Sequence, residues 1–391
     1  MNNPERWLLP DGIEEILPDE ARRLELLRRR LLDLLATWGY ELVMPPLIEY
    51  LDALLTGTGR DLDLQTFKLT DQLTGRLMGV RADMTPQAAR IDAHYLKRQQ
   101  PARLCYVGSV LRTRPDVFAG SRELLQFGAE LFGHPGPESD VEVAQLMLAT
   151  LTAAGVPALH VDLGHVGVFH ALAAEAKLPE PLEAELFEAL QRKARGQAEQ
   201  LLATADAPAA SKTMLAALLD LNGGPETMTQ ARTVLQRAPA AVAAALANLA
   251  TVAETLGRRG QSIYFDLAEL RGYRYYTGMV FSAYTPGHGQ ALAQGGRYDG
   301  IGQAFGRARA ATGFSVDLRQ LARVAGQGSS NAPGILAPSD ADAELANTVT
   351  RLRATGERVV QGLPGTTATA RDLGCDRVLA NEKGKWTVKP V

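Results

Sequence analysis

Cysteine is almost missing from this chain. Cys105 and Cys375 stand far apart with no C-x-x-C pair, which excludes a disulfide framework and a cysteine-based zinc site. A reducing cytoplasm fits that usage. Excess charge is missing too: 41 Lys and Arg against 44 Asp and Glu leave a net charge of -3, which argues against a dominant nucleic-acid surface. No apolar run approaches the ~20 residues of a membrane span. The start, Met1-Asn2-Asn3-Pro4-Glu5-Arg6, has no apolar signal core. What remains is ordinary globular composition, 46% hydrophobic and 22% charged, over 391 residues, enough for two or three domains.

Along the chain, helix and strand patterns alternate. Ala21, Leu24, Leu27, Leu31, Leu34 and Trp38 recur at helical spacing after Asp19, a suitable N-cap, and Gly39 ends the run. Arg28-Arg29-Arg30 lies inside that helix, where a solvated face accounts for it as well as a nucleic-acid contact does. Pro45-Pro46 bars residues 40–49 from a central ladder, so an edge or interface strand is expected there. Residues 66–71 and 76–81 read as a hairpin around Thr74-Gly75. Two strands follow at 103–111 and 123–132, and Ser139-Asp140-Val141-Glu142 spells a capping box for a helix reaching about Ala154.

From 165 to 259 the composition turns to Ala, Leu, Glu and Gln, which predicts a helical insertion. Beyond a Gly/Ser linker at 326–331 the tail alternates strand 335–337, helix 341–355, strand 358–360, a short helix 367–373 and strand 377–379. The expected division is therefore 1–164 and 260–325 as two parts of one core, 165–259 as the insertion, and 332–391 as a small α/β domain.

The residues with ligand-binding chemistry fall at four places. Thr85 and Pro86 suit the N-cap and first position of a helix, and Asp83 beside that start is within reach of an ammonium group. Over 123–132, alternation puts Leu125, Phe127, Ala129 and Leu131 on one face and Gln126, Gly128 and Glu130 on the other. A strand edging a solvent cleft would alternate in the same way. Arg112 stands at the end of the preceding strand. The fourth place is a pair of runs, Arg271-Gly272-Tyr273-Arg274-Tyr275-Tyr276 and Gln294-Gly295-Gly296-Arg297-Tyr298-Asp299-Gly300. Paired glycines permit a backbone approach that a side chain blocks, and Arg and Tyr supply donors for a small polar ligand. Each run alone reads equally well as a structural turn. No metal or cofactor site is expected.

Together, in this order, the two runs resemble the histidine-specific signatures of histidyl-tRNA synthetases, and the resemblance covers nearly the whole chain. The helix and Pro-containing strand over 19–49 resemble motif 1 of class II synthetases, which builds a homodimer interface. The strand–loop–strand around Arg112 resembles motif 2, and 313–321 occupies the place of motif 3. This implies an α+β fold: a class II aminoacyl-tRNA synthetase-like antiparallel sheet flanked by helices, with the helical insertion and a small C-terminal α/β domain. It also implies a histidine site. Asp83 and Thr85 would hold the α-ammonium, Glu130 would face the imidazole beside Gln126, and Arg271 would meet the carboxylate or the ring. Arg112, Tyr275 and Tyr276 would complete it.

The ATP-side motifs depart from the synthetase pattern. Arg114 stands where those enzymes place a Glu that accepts from adenine, Gln320 where they place an Arg, and Arg274 where they place an Asp. That pattern resembles the regulatory subunits of ATP phosphoribosyltransferase, a non-catalytic, synthetase-related family serving the first step of histidine biosynthesis. The resemblance implies a separate short-form catalytic subunit as partner, a homodimer within a hetero-oligomer, and L-histidine as regulatory ligand. It implies no tRNA and no cofactor. A divergent histidyl-tRNA synthetase and a free-standing histidine-binding sensor stay open as alternatives.

Overall fold

The computed structural model describes residues 7–57, 60–115, 120–270, 272, 275–325, 334–340 and 342–391. The chain divides into two compact units, residues 1–16 with 24–326, and residues 17–23 with 327–391.

In the first unit the strands run β1 (Glu41–Leu42), β2 (Ile48–Tyr50), β3 (Phe67–Thr70), β4 (Leu77–Val80), β5 (Ala102–Leu111) and β6 (Glu123–Phe132). After a helix at Pro137–Ala154 come β7 (His160–His165), β8 (Asn222–Gly223), β9 (Ser262–Asp266), β10 (Met279–Tyr284), β11 (Ala293–Arg297) and β12 (Ala311–Asp317). Nine of them form one sheet in the order β1-β5-β6-β12-β11-β10-β7-β9-β8. Its middle, from β5 to β7, is antiparallel throughout, as expected, while the pairs β1/β5 and β7/β9 are parallel. Strands β2, β4 and β3 make a separate three-stranded sheet, with the β3–β4 hairpin turning at Thr74-Gly75.

The alternation along β6 divides the sheet's two faces. Phe127, Ala129 and Leu131 join the main core with Leu146, Met147 and Leu151 of the helix Pro137–Ala154. Between β7 and β9 the chain is helical apart from β8. One of these helices, Ala240–Gly257, is long and apolar enough by composition to cross a membrane, which the run-length reading did not register. Its Val242, Leu249, Val252 and Leu256 are buried in the same core, so burial against protein accounts for its apolarity. On the opposite face a smaller cluster, including Met84, Ala88, Tyr106 and Tyr298, lies under the helix Thr85–Arg90. The Arg28 and Arg29 side chains both bind Glu25 of their own helix, which favours the solvated-face reading of the triplet.

Two expected caps form differently. The helix after β6 starts at Pro137, and Ser139 and Glu142 make no capping box, Glu142 accepting from Arg103 instead. Proline suits the first helical turn, and the Ser139 hydroxyl and the neighbouring Asp140 are taken by the buried Arg297. Its guanidinium donates to Ser139 Oγ at 2.7 Å and stands 3.0 Å from Asp140. The helix Thr85–Arg90 begins at Thr85 itself, and Asp83 accepts the Thr85 N–H at 3.1 Å. Met84 is thus the N-cap position, without a side-chain cap of its own, and the Thr85 hydroxyl turns to Tyr106 instead.

The second unit holds β13 (Gly334–Ala337), β14 (Arg358–Gln361), β15 (Arg377–Glu382) and β16 (Lys385–Pro390), ordered β14-β13-β15-β16. The helix Ala343–Ala354 packs Leu345 and Val349 against Ile335, Val359 and Leu379. Asp342 caps that helix and accepts the Trp386 indole N–H at 2.6 Å. Strand β16 was not anticipated. No helix forms at 367–373, because the Asp372 carboxylate accepts from both the N–H and the hydroxyl of Thr369 and closes a turn instead.

Candidate functional site

Strands β5 and β6 lie antiparallel with Tyr106 opposite Gly128, and β6 meets β12 with Glu130 opposite Gly313. These glycines are the space that the site occupies. A Cβ on Gly128 would sit 2.5 Å from the Tyr106 hydroxyl and 2.8 Å from the Phe314 carbonyl oxygen. One on Gly313 would overlap the Glu130 carboxylate itself. The Gln294–Gly300 run has the same logic, since a Cβ on Gly296 would meet the Met279 carbonyl and the Tyr276 ring. The paired glycines therefore serve close approach, as the sequence indicated.

Within that space a continuous hydrogen-bond network forms. Gln126 Nε2 donates to Asp83 Oδ1 at 2.7 Å, and Gln126 Oε1 accepts the Met84 N–H at 2.8 Å. The Thr85 and Tyr106 hydroxyls are 2.9 Å apart, and Tyr106 donates to Glu130 Oε1 at 2.8 Å. The Tyr298 hydroxyl donates to the other Glu130 oxygen. Tyr275 stacks on Tyr298 at 5.0 Å between ring centroids, and Tyr276 meets Tyr275 edge-on at 5.2 Å. The Tyr275 hydroxyl is enclosed without a hydrogen-bond partner among the described residues.

The electrostatics follow from enclosure. Glu130 is 1% exposed, and burial pushes its carboxyl up to about 8 against the opposing pull of the Tyr298 and Tyr106 hydroxyls. Burial, followed by the nearby Glu130, holds Tyr106, Tyr275 and Tyr298 well above the usual phenol range. Among the described residues no Lys or Arg donates to Asp83 or Glu130. The Asp83 and Glu130 carboxyl groups among hydroxyls and one amide offer acceptors that suit a ligand bringing N–H donors.

Of the expected site residues, Asp83, Thr85, Gln126 and Glu130 share one network, and Tyr275 and Tyr276 adjoin it through Tyr298. Arg271 lies outside the described residues, as does Arg274. Arg112 does not touch the network. It lines a neighbouring cavity of about 340 Å³ that Gln126 also borders, and its Nε is buried without a hydrogen-bond partner. Gln320, on the far wall, is 2.8 Å from His288 Nε2 and donates to Gln290 at 3.4 Å. Arg114 is exposed. Sequence reasoning missed Tyr106 and Tyr298 as partners of Glu130. Tyr298 was inside a quoted signature, and Tyr106 could have been found by carrying the two-residue alternation onto β5. Among the described residues no cluster of His, Cys, Asp and Glu could hold a metal.

The histidyl-tRNA synthetase family profile matches residues 12–321, and that of the ATP phosphoribosyltransferase subunit HisZ C-terminal domain matches 332–389. An ATP phosphoribosyltransferase regulatory subunit from Thioalkalivibrio sulfidiphilus is 57% identical, over 99% of both chains. One from Pseudomonas aeruginosa is 55% identical over the full length of each. Among solved structures, an ATP phosphoribosyltransferase regulatory subunit/histidyl-tRNA synthetase from Bacillus halodurans superposes with a TM-score of 0.85 at 30% identity, covering 96% of this chain and 98% of that one. A histidyl-tRNA synthetase from a Nostoc species, at 17% identity, shares the fold with a TM-score of 0.78 over 96% of this chain and 91% of its own.

Proposed function

The chain belongs to the family of ATP phosphoribosyltransferase regulatory subunits, and from that premise we propose that its enclosed polar network binds free L-histidine and passes occupancy to the catalytic partner. As a regulatory subunit, the protein acts in histidine biosynthesis and leaves the transfer chemistry to a separate chain. The observation that carries the ligand assignment is the Asp83–Gln126 and Thr85–Tyr106–Glu130–Tyr298 network. Asp83 and Thr85 suit an α-ammonium, and Glu130 retains lone pairs for an imidazole N–H. Replacement of the motif 3 Arg by Gln320 and of the motif 2 Glu by the exposed Arg114 speaks against ATP activation, and so against a synthetase.

Regulation requires that histidine bind one state of the complex better than another, so occupancy must favour the less active one. The subunit works in the cytoplasm with a short-form catalytic chain, without tRNA, and as a homodimer within the assembly. Self-association is supported by the Pro-containing segment beside β1 and β2, where Leu42, Met44, Leu47 and Ile48 are exposed and a water-facing apolar strip would be a liability.

Titration calorimetry on the wild type and Glu130→Gln, paired with inhibition curves of the reconstituted complex, tests the ligand reading. A cationic ligand must draw the proton off Glu130 to gain a charged hydrogen bond of roughly 1.5–3 kcal/mol, and that ionisation offsets part of the gain, so Glu130→Gln should weaken histidine about 3- to 10-fold while assembly persists. Equal affinity in both proteins would move the feedback site elsewhere.

A further inference from the structure

Resting on the histidine reading above, we infer that the site also accepts histidine enlarged at its carboxyl group: histidinamide, or a dipeptide with histidine first. The geometry turns on Gln126. Its amide is fixed by Asp83 and by the Met84 N–H, and the same side chain forms a wall of the 340 Å³ cavity beyond. The α-carbon of histidine carries three heavy substituents. With the ammonium at Asp83 and Thr85 and the side chain directed to Glu130, the carboxyl group is the one left to enter the cavity past Gln126.

That cavity is much larger than a carboxylate needs. At ~30 Å³ per water it has room for about ten waters. Beside Gln126 and Tyr284, its polar lining includes Arg112, Gln290, Gln294, Ser315, Gln320 and one acid, Asp317. Asp317 is committed to the backbone, accepting the Leu125 and Arg319 N–H groups at 3.1 Å each. The amides offer donors and acceptors together, which is the complement of a peptide group. Arg112, with a buried Nε lacking a partner, offers a cation to the terminal carboxylate of a second residue. The site therefore reads the imidazole and the free ammonium, and it tolerates substitution at the carboxyl end.

Calorimetry on the full chain with L-histidine, L-histidinamide, L-histidyl-glycine and glycyl-L-histidine tests this. Histidinamide and histidyl-glycine should bind within about tenfold of histidine, and glycyl-histidine, whose histidine lacks a free ammonium, should not bind. Gln294→Trp, placed at an exposed rim position, should weaken histidyl-glycine at least about tenfold and leave histidine within about twofold. Histidine binding without either enlarged compound overturns the inference and leaves the histidine reading standing. Unchanged histidyl-glycine affinity in folded Gln294→Trp overturns it as well. If no compound binds, the histidine reading itself fails and takes this inference with it. Should Gln294→Trp not fold, judged by its thermal melt, the wild-type ranking of histidyl-glycine over glycyl-histidine decides alone.

Discussion

The two sides of Gln126 are built on opposite terms. Toward Glu130, the side chains hydrogen-bond one another in an enclosed space, held by three strands and a helix start. Toward Gln320, a cavity is lined by amides, one committed acid and a guanidinium whose Nε has no partner. On the closed side each group depends on its neighbours, because losing one partner strands a buried polar atom at a cost of about 1–3 kcal/mol. On the open side water can replace any lost contact, so single changes there cost little. The contrast teaches where a single substitution should be costly and where it should be tolerated.

The strongest way to break the closed side is from behind. Arg297, next to Tyr298, pairs with Asp140, and both are buried. Burial raises the Asp140 carboxyl, with Arg297 pulling the other way. Asp140→Ala removes the buried one of the two carboxylates that pair with Arg297 and leaves only the more exposed Asp299, so chemical denaturation should show a loss of about 1.5–3 kcal/mol. A loss under about 1 kcal/mol would mean that Asp299 and the carbonyls of His134 and Gly136 suffice for Arg297.

A pH series sharpens the same side. Glu130 moves from an ordinary 4.5 to about 8 on folding, so between those values the folded protein holds a proton that the unfolded chain has released. Its contribution must make stability decline as pH rises through that window and level off above it. Glu130→Gln removes this slope, and melts from pH 5 to 9 should fall less steeply than in the wild type. Parallel curves would assign the proton to another group.

Gly128→Ala probes packing on the same side. The added methyl meets the Tyr106 hydroxyl at 2.5 Å and a backbone carbonyl at 2.8 Å, a strain of about 1–3 kcal/mol visible as a lowered Tm. Unchanged melting would show that Tyr106 can swing aside. The smallest effect belongs to the open side. Gln320→Ala should leave the affinity for free histidine within about twofold, matching the ±0.5 kcal/mol of a change outside tight packing. A tenfold loss there would erase the distinction between the two sides.

The sequence by itself determined the family, the alternation that sends Gln126 and Glu130 to one face of β6, and the glycines that clear room for them. Those features are local: a two-residue strand period and a missing Cβ are written in neighbouring letters. It also determined that Arg114 and Gln320 cannot supply the expected ATP contacts, since donor and acceptor capacity belongs to the residue type. Only the tertiary structure decided that Tyr106 and Tyr298, from β5 and the end of β11, both donate to Glu130. It alone moved the N-cap from Thr85 to Met84, turned the Ser139 hydroxyl to Arg297, and set Arg112 in the neighbouring cavity. For Thr85, Glu130 and Ser139 this is a competition between a local partner and one more than 20 residues away. Sequence spacing records the first kind of partner, whereas enclosure in the folded sheet decides whether the second one wins, because only there does an unsatisfied polar group become expensive.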